Sequence, residues 1–266
     1  MQRRTYLGSL GTVGITSVAG CLGDLLGGDS NPDTILEPPE EEAQHADFEY
    51  PSYGDEFPSF SLTDPLTEET VSRDDFVDER PFVMTYFYAS CPDGMCDQLM
   101  QHFRRIQEDA VESGYEDDVG LLAMTFDPER DTADVLRTYS TERGIEPDTG
   151  HWHYLRPEDN EAAKTVLNET FKLPLRQEGA ASNNESANET ASNTESGNET
   201  ASNNESGNES ADTDDLEYTF THSAHVQLVN ERGIVERAYP RAHNQREAVN
   251  TEVIVEDTRT VVGVDE

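Results

Sequence analysis

Between residues 81 and 126 two uninterrupted apolar runs enclose one amphipathic stretch, and that arrangement leaves few ways to fold. "PFVMTYFY" (81–88) and "VGLLAMTF" (119–126) show no polar alternation. Each therefore reads as a strand covered on both faces, as central strands of layered α/β proteins are. Between them Leu99, Phe103, Ile106 and Ala110 recur at helical spacing, which predicts an amphipathic helix over 96–112 ending near Gly114. Strand, helix, strand makes the two strands parallel neighbours joined by a crossover.

Downstream, "TADVLRTYSTERG" (132–144) and "PEDNEAAKTVLNETF" (157–171) read as two further helices, the first closed by a glycine. "SAHVQLVN" and "GIVERAY", separated by Glu231, Arg232 and Gly233, carry a hairpin signal. "NQREAVNTEVIVEDTRTVV" predicts a final helix, although its second half is β-branched and a poor helix former. The expectation is an α/β, thioredoxin-like fold: a central sheet of parallel strands plus a C-terminal β-hairpin, flanked by helices.

The first 21 residues read as an address. "MQRRTYLGSLGTVGITSVAGC" places Arg3-Arg4 before a mildly apolar run that is too short, and too rich in Gly, Ser and Thr, to span a bilayer. The paired arginines resemble a twin-arginine signal. "SVAGC" resembles a lipobox, whose cysteine, Cys21, is lipidated and carries the chains that anchor a protein stably to membrane lipid. The expected location is the extracytoplasmic face of the cell membrane. Residues 22–52 are rich in Gly, Pro and acid and read as a flexible stalk. A folded domain is expected over 53–177 and 216–266. The interruption, 178–215, is a degenerate Asn/Glu/Ser/Thr/Gly repeat without a large apolar residue and reads as a disordered insertion. Asn184, Asn188, Asn198, Asn204 and Asn208 within it, and Asn168 before it, begin the Asn-x-Ser/Thr triplets that accept N-glycans on exported proteins.

Charge narrows the partners. The chain has 56 acids against 18 bases, a formal net charge of -38, and its only lysines are Lys164 and Lys172. A surface of this kind repels nucleic acid and anionic lipid and attracts cations. An acidic surface nearly free of lysine resembles that of proteins from extreme halophiles, in which molar salt screens the repulsion.

The chemistry lies between the first strand and the first helix. Cys91 follows the strand and Cys96 opens the helix. A helix N-terminus favours thiolate over thiol, and the carboxyl edge of parallel strands is where α/β folds place their sites. Three uses of two such sulfurs are open: a disulfide that staples a short loop, thiol–disulfide exchange, or a soft-metal site. A third ligand decides for metal. His222 lies in the turn before a predicted strand, where the topology brings it beside the cysteine loop. His225, three residues on, points to the opposite face. His151 and His153 in "HWHYL" share a face if extended, but read first as a solvated edge. His102 falls on the polar side of the first helix, while His45 and His243 lie in the stalk and before the last helix.

"FYASCPDGMCDQLM" resembles the copper-site loop of the Sco/SenC family, thioredoxin-like proteins of cytochrome oxidase assembly. "FPSFSLTDPLTEETVSRDDF" resembles the family's opening hairpin, "MTFDPERDTADVLRTY" its "DPERDT" segment, and "THSAHVQLVNERG" its His-Ser segment. The resemblance implies that Cys91, Cys96 and His222 bind copper, as Cu(I), Cu(II) or both. It makes Asp127, Arg130 and Asp131 scaffold around the site. It also implies delivery of copper to the copper-containing subunit of a haem-copper terminal oxidase. The alternative within the same resemblance is an extracytoplasmic thiol-disulfide oxidoreductase that keeps the oxidase cysteines reduced, with Cys91 and Cys96 as its catalytic pair.

The sequence departs from the family in two places. Four residues rather than three separate the cysteines, with Gly94 available to absorb the extra one, and Asp97 stands where a proline is usual. Met95 adds a thioether that is expected to pack. A peroxiredoxin, the other thioredoxin-like protein with "SCP" after a strand, has a threonine where this chain has Tyr88.

Overall fold

The computed structural model describes residues 32–40, 48–179, 218–242 and 250–264. In chain order the elements are β1 (Ser61–Thr63), β2 (Thr70–Ser72), β3 (Phe82–Phe87), α1 (Met95–Ser113), β4 (Gly120–Thr125), α2 (Ala133–Arg143) and β5 (Trp152–Leu155). They continue with α3 (Asn160–Thr165), β6 (Arg176–Gly179), β7 (Tyr218–Thr221), β8 (Val226–Val229), β9 (Val235–Tyr239) and α4 (Thr251–Val262). The central sheet runs β5-β4-β3-β8-β9. β3 and β4 pair in parallel from Phe82↔Gly120 to Phe87↔Thr125, as the crossover required, and every residue of both is buried. Gly120 is needed there for space: a Cβ would stand 2.5 Å from a ring carbon of Phe76.

The flanks differ from the expectation in instructive ways. β8 and β9 form the expected hairpin, but β8 also pairs antiparallel with β3, so the sheet is mixed. β5, the "WHYL" read as a solvated edge, is a third parallel strand beside β4. β6 and β7 form a two-stranded ribbon of their own. β6 includes Glu178 and Gly179, so ordered structure extends into the stretch assigned to the insertion. The helix expected over 157–171 is α only to Thr165 and continues as one π-type stretch, Val166–Thr170. The β-branched half of the last segment is the helix itself, because Ile254, Val255, Thr258 and Val261 are buried. Packing overrides propensity here. α1 and α4 are joined by Arg259, which donates twice to the buried Asp109 at 2.7 Å.

The reading of 22–52 as a free stalk is corrected in part. The buried Glu236 carboxylate accepts the backbone N–H groups of Ile35 (2.8 Å) and Leu36 (2.9 Å). Asn230 Nδ2 donates to the Asp33 carbonyl at 2.9 Å, and Gln227 Nε2 to that of Pro51 at 2.7 Å. Buried polar side chains complete their hydrogen bonding on this segment, which pins it to β8 and β9. The rest of the stalk, the proposed address with Cys21, most of the insertion, and Asn184, Asn188, Asn198, Asn204 and Asn208 lie outside the described residues. Among the described residues no helix is long and apolar enough to cross a membrane.

Candidate metal centre

β3 ends at Phe87, the buried Tyr88 follows, and the chain turns through Ser90 to Gly94 into α1. Asp93 organises that turn: its Oδ1 accepts from the Met95 amide at 2.9 Å and from the Cys91 thiol at 3.0 Å. Gly94 occupies the N-cap position with φ 73°. A Cβ there would meet nothing within 4 Å, so the glycine is required by conformation and not by space. The additional residue between the cysteines is thus taken up in one left-handed step. Asp97, where a proline was expected, receives Arg143 of α2 at 2.7 Å and the Tyr139 hydroxyl at 3.2 Å, tying the first turn of α1 to α2.

The two thiols are free and unequal: Cys91 is partly exposed and Cys96 fully buried. The hydrogen bond with Cys96 pulls the Cys91 thiol down to about 6, against its partial burial and helped by His222. Burial raises Cys96 well above the ordinary thiol range, and the neighbouring Cys91 charge adds to it. The two sulfurs are thus shifted in opposite directions, Cys91 down and Cys96 up. Burial opposes ionisation of Asp93, but the hydrogen bonds from Cys91 and Met95 outweigh it and its carboxyl is lowered.

His222 leaves the end of β7 and closes the group. Its Nε2 stands 3.9 Å from Cys91 Sγ and 3.8 Å from Cys96 Sγ. Its Nδ1 lies 3.3 Å from the Ser223 carbonyl, which can only accept, so a proton held on Nδ1 would leave the Nε2 lone pair to a metal between the sulfurs. Tyr88 walls the imidazole edge-on at 5.8 Å and Phe126 at 4.8 Å. All three ligand atoms lie within 4.8 Å of one another, the one such Cys/His/acid group among the described residues.

The three acidic and basic residues expected as scaffold are next to it. The Asp131 carboxylate accepts from the Ala89 amide at 3.1 Å and from the Thr125 hydroxyl at 2.5 Å. Burial outweighs the Thr125 bond and, with the charge of Asp127, lifts its carboxyl to about 7. Asp127 pairs with Arg130 and accepts the Tyr218 hydroxyl at 2.7 Å.

The remaining candidates do not converge on this group. Met95 packs against the core. His102 is not on a polar face: it is buried between Thr251 and the Ala242 carbonyl. His151 is likewise buried, against Gln107, while His153 faces Asp64 at 3.5 Å, so the two share no site. His225 is fully buried, and neither of its ring nitrogens has a hydrogen-bond partner among the described residues. His45 and His243 lie outside the described residues. The carboxamide of Asn168 exchanges hydrogen bonds with the Leu175 backbone at 2.9 and 3.4 Å. A cleft of about 460 Å³ lined by Asp97, Met100, Gln101, Arg104, Glu142 and Arg143 holds no cysteine or histidine. Asp93 and the aromatic walls Tyr88 and Phe126 escaped sequence reading. Only Asp93 left a signal, as an Asx residue two before a helix start.

A mixed α/β sheet with two thiols at a strand-to-helix turn, facing an imidazole from a distant loop, defines a thioredoxin-like protein with a Cys–Cys–His centre. Residues 51–151 match the SCO1/SenC family model, a span that includes both cysteines and ends before His222. The fold is shared with solved structures, two of which are similar over most of the chain. One is a SCO1/SenC family lipoprotein from Bacillus anthracis str. Ames, with 14% identity and TM-score 0.53, covering 77% of this chain and 94% of that one. The other is BsSco, described as a member of the Sco family of cytochrome c oxidase assembly proteins with a disulfide switch. It has 14% identity and TM-score 0.51, covering 82% of this chain and 98% of that one. The sequence matches no curated protein.

Proposed function

We propose that this protein binds copper through Cys91, Cys96 and His222 and hands it to the copper-containing subunit of a haem-copper terminal oxidase during assembly. It would act from the extracytoplasmic face of the membrane, tethered by a lipid on Cys21. The convergence of two sulfurs and one imidazole nitrogen within 4.8 Å carries the reading. The lengths of zinc sites, about 2.3 Å to sulfur and 2.0–2.1 Å to nitrogen, arranged in a plane, place nitrogen about 3.8 Å from each sulfur and the sulfurs about 4.0 Å apart, so the sulfurs close slightly on the ion. The separations here are 3.8 and 3.9 Å. Two thiolates suit Cu(I), and the imidazole extends the set to Cu(II). The description of BsSco as an oxidase assembly protein supports the choice of recipient. Competitive Cu(I) titration of the reduced full-length chain tests this. His222→Ala is expected to lose affinity while the thiol–disulfide potential changes little, and an unchanged affinity removes His222 from the site.

A second reading rests on the inequality of the two thiols. The exposed Cys91, low at about 6, has the properties of an attacking group, and the buried, raised Cys96 those of a resolving one. In that scheme Cys91 thiolate attacks a target disulfide and releases one target thiol. Cys96 then displaces the second, leaving a Cys91–Cys96 disulfide and two electrons on the target. Deletion of the gene separates the two readings. Rescue of oxidase activity by added copper supports delivery, and rescue only by a thiol reductant supports exchange.

A further inference from the structure

His222 is not delivered by a strand of the central sheet. It follows β7, a four-residue strand whose one ladder partner is β6, itself largely exposed. Residues 180–217 separate those two strands in sequence, so the chain entering β7 inherits no position from a short connection. Phe220 packs on Tyr88 and Phe126 at 5.3 and 5.4 Å, the Thr219 hydroxyl lies 3.2 Å from that of Tyr88, and the polar tie of β7 to the 127–131 turn is Tyr218. Its hydroxyl donates to Asp127 Oδ1 at 2.7 Å and accepts from Asn160 Nδ2 at 3.0 Å. Its carbonyl accepts from Arg130 Nη1 at 3.2 Å, and its ring lies under the Arg130 guanidinium at 4.1 Å. Arg130 is in turn locked to Asp127.

The sulfurs are tied to the same turn. Ala89, two residues before Cys91, gives its amide to Asp131. The turn holds itself: the amides of Arg130 and Asp131 both donate to the Asp127 carbonyl, at 3.1 and 2.9 Å, and the Asp127 amide donates to Thr125 Oγ1 at 3.0 Å. Five consecutive residues thus grip both chains that feed the site, one through Tyr218 and one through Ala89.

We infer that Asp127–Asp131 is a clamp that sets the distance at which His222 meets the two sulfurs, with Arg130 as the positioning residue for the imidazole. The inference rests on the copper reading for its binding consequence but not for its geometry, and both are measurable on the full-length chain. Arg130→Met keeps the length of the side chain and removes its grip on Tyr218. Arg130→Met combined with Asp127→Asn also removes the buried carboxylate that the single change leaves uncompensated, which guards against a variant that does not fold.

In the metal-free protein, NMR contacts between the His222 ring and the rings of Phe126 and Tyr88 are expected in the wild type and lost in both variants. With copper, affinity is expected to fall by up to about 100-fold, the upper range for removing a ligand's own hydrogen-bond partner, because Arg130 reaches His222 only through Tyr218. The nitrogen hyperfine signal of the Cu(II) form should weaken, which a general loss of stability would not cause. Ring contacts that persist in folded variants overturn the clamp, whether or not the chain binds copper. Absence of copper binding in the wild type defeats the functional reading instead, and loss of the ring contacts in the variants then still supports the clamp.

Discussion

At the scale of single residues the cysteine pair and His225 make opposite demands on protons. Cys91 is low because its thiolate is hydrogen-bonded by Cys96, and Cys96 is high because it is buried beside that thiolate. Alkylation of the reduced chain, followed by peptide mapping, should therefore label Cys91 with a rate that rises through a midpoint of about pH 6, while Cys96 stays protected. Equal labelling of the two would mean that the loop opens as a unit. His225 is the contrary case. It is fully buried with neither ring nitrogen hydrogen-bonded among the described residues, under Tyr50 at 4.4 Å and Phe48 at 6.3 Å, and burial lowers it to about 3. The unfolded chain takes up that proton near pH 6.5, so below this the unfolded state binds more protons and stability falls as pH falls. The loss is about 1.4 kcal/mol per pH unit for one such group and ends only near the folded value. His225→Leu should remove one proton's worth of that slope in denaturant titrations between pH 6 and 4. An unaltered slope would assign the acid sensitivity to other groups, among them the lowered His102 and His151.

At the scale of elements, what was legible in the sequence is what a local pattern encodes. β3, α1, β4 and α2 follow from apolar runs, helical spacing and glycine stops, and each falls within two residues of its expected bounds. β5, β6 and β7 did not show, because their pairing is decided by neighbours: "WHYL" has no alternation, and "RQEG" is charged and mostly exposed. The segment 33–36 was equally silent, since its hold on the domain comes from Glu236, some 200 residues away in sequence. The metal group divides the same way. Cysteines at a strand-to-helix turn announce themselves, whereas the approach of His222 depends on the ribbon and on Tyr218. The N-terminal segment provides an element-scale test. Glu236 also receives Asn230 Nδ2 at 2.6 Å, so Glu236→Gln turns an amide donor toward groups that only donate. A loss of roughly 1.5–3 kcal/mol per bond to the charged group is expected, with proteolytic cleavage near 33–40 appearing before global unfolding. Cleavage kinetics equal to those of the wild type would show that the segment is held by something other than Glu236.

Over the whole molecule the dominant quantity is the charge of -38. Many of the described arginines are already engaged, among them Arg73 with Glu56, Arg104 with Glu108, Arg130 with Asp127, Arg143 with Asp97, and Arg259 with Asp109. With 18 bases against 56 acids, most carboxylates have no cation to meet and repel one another across the surface. That repulsion disfavours the compact state and is screened over about 10 Å at 0.1 M salt but only about 3 Å at 1 M. The unfolding midpoint in urea should therefore rise between 0.1 and 1 M KCl, with little change in the slope of the transition, because salt alters the charge energy and not the surface exposed. Sucrose at matched osmolality separates screening from general exclusion: it lacks the ionic term and should give a smaller rise. The same screening weakens the attraction of the surface for copper ions in solution, so association should slow as salt rises. The buried sulfur–imidazole group is screened far less, and its dissociation should barely change. Stopped-flow rates measured across the salt range distinguish the two contributions. If dissociation proved as salt-sensitive as association, the ion would be held by the acidic surface and not by Cys91, Cys96 and His222.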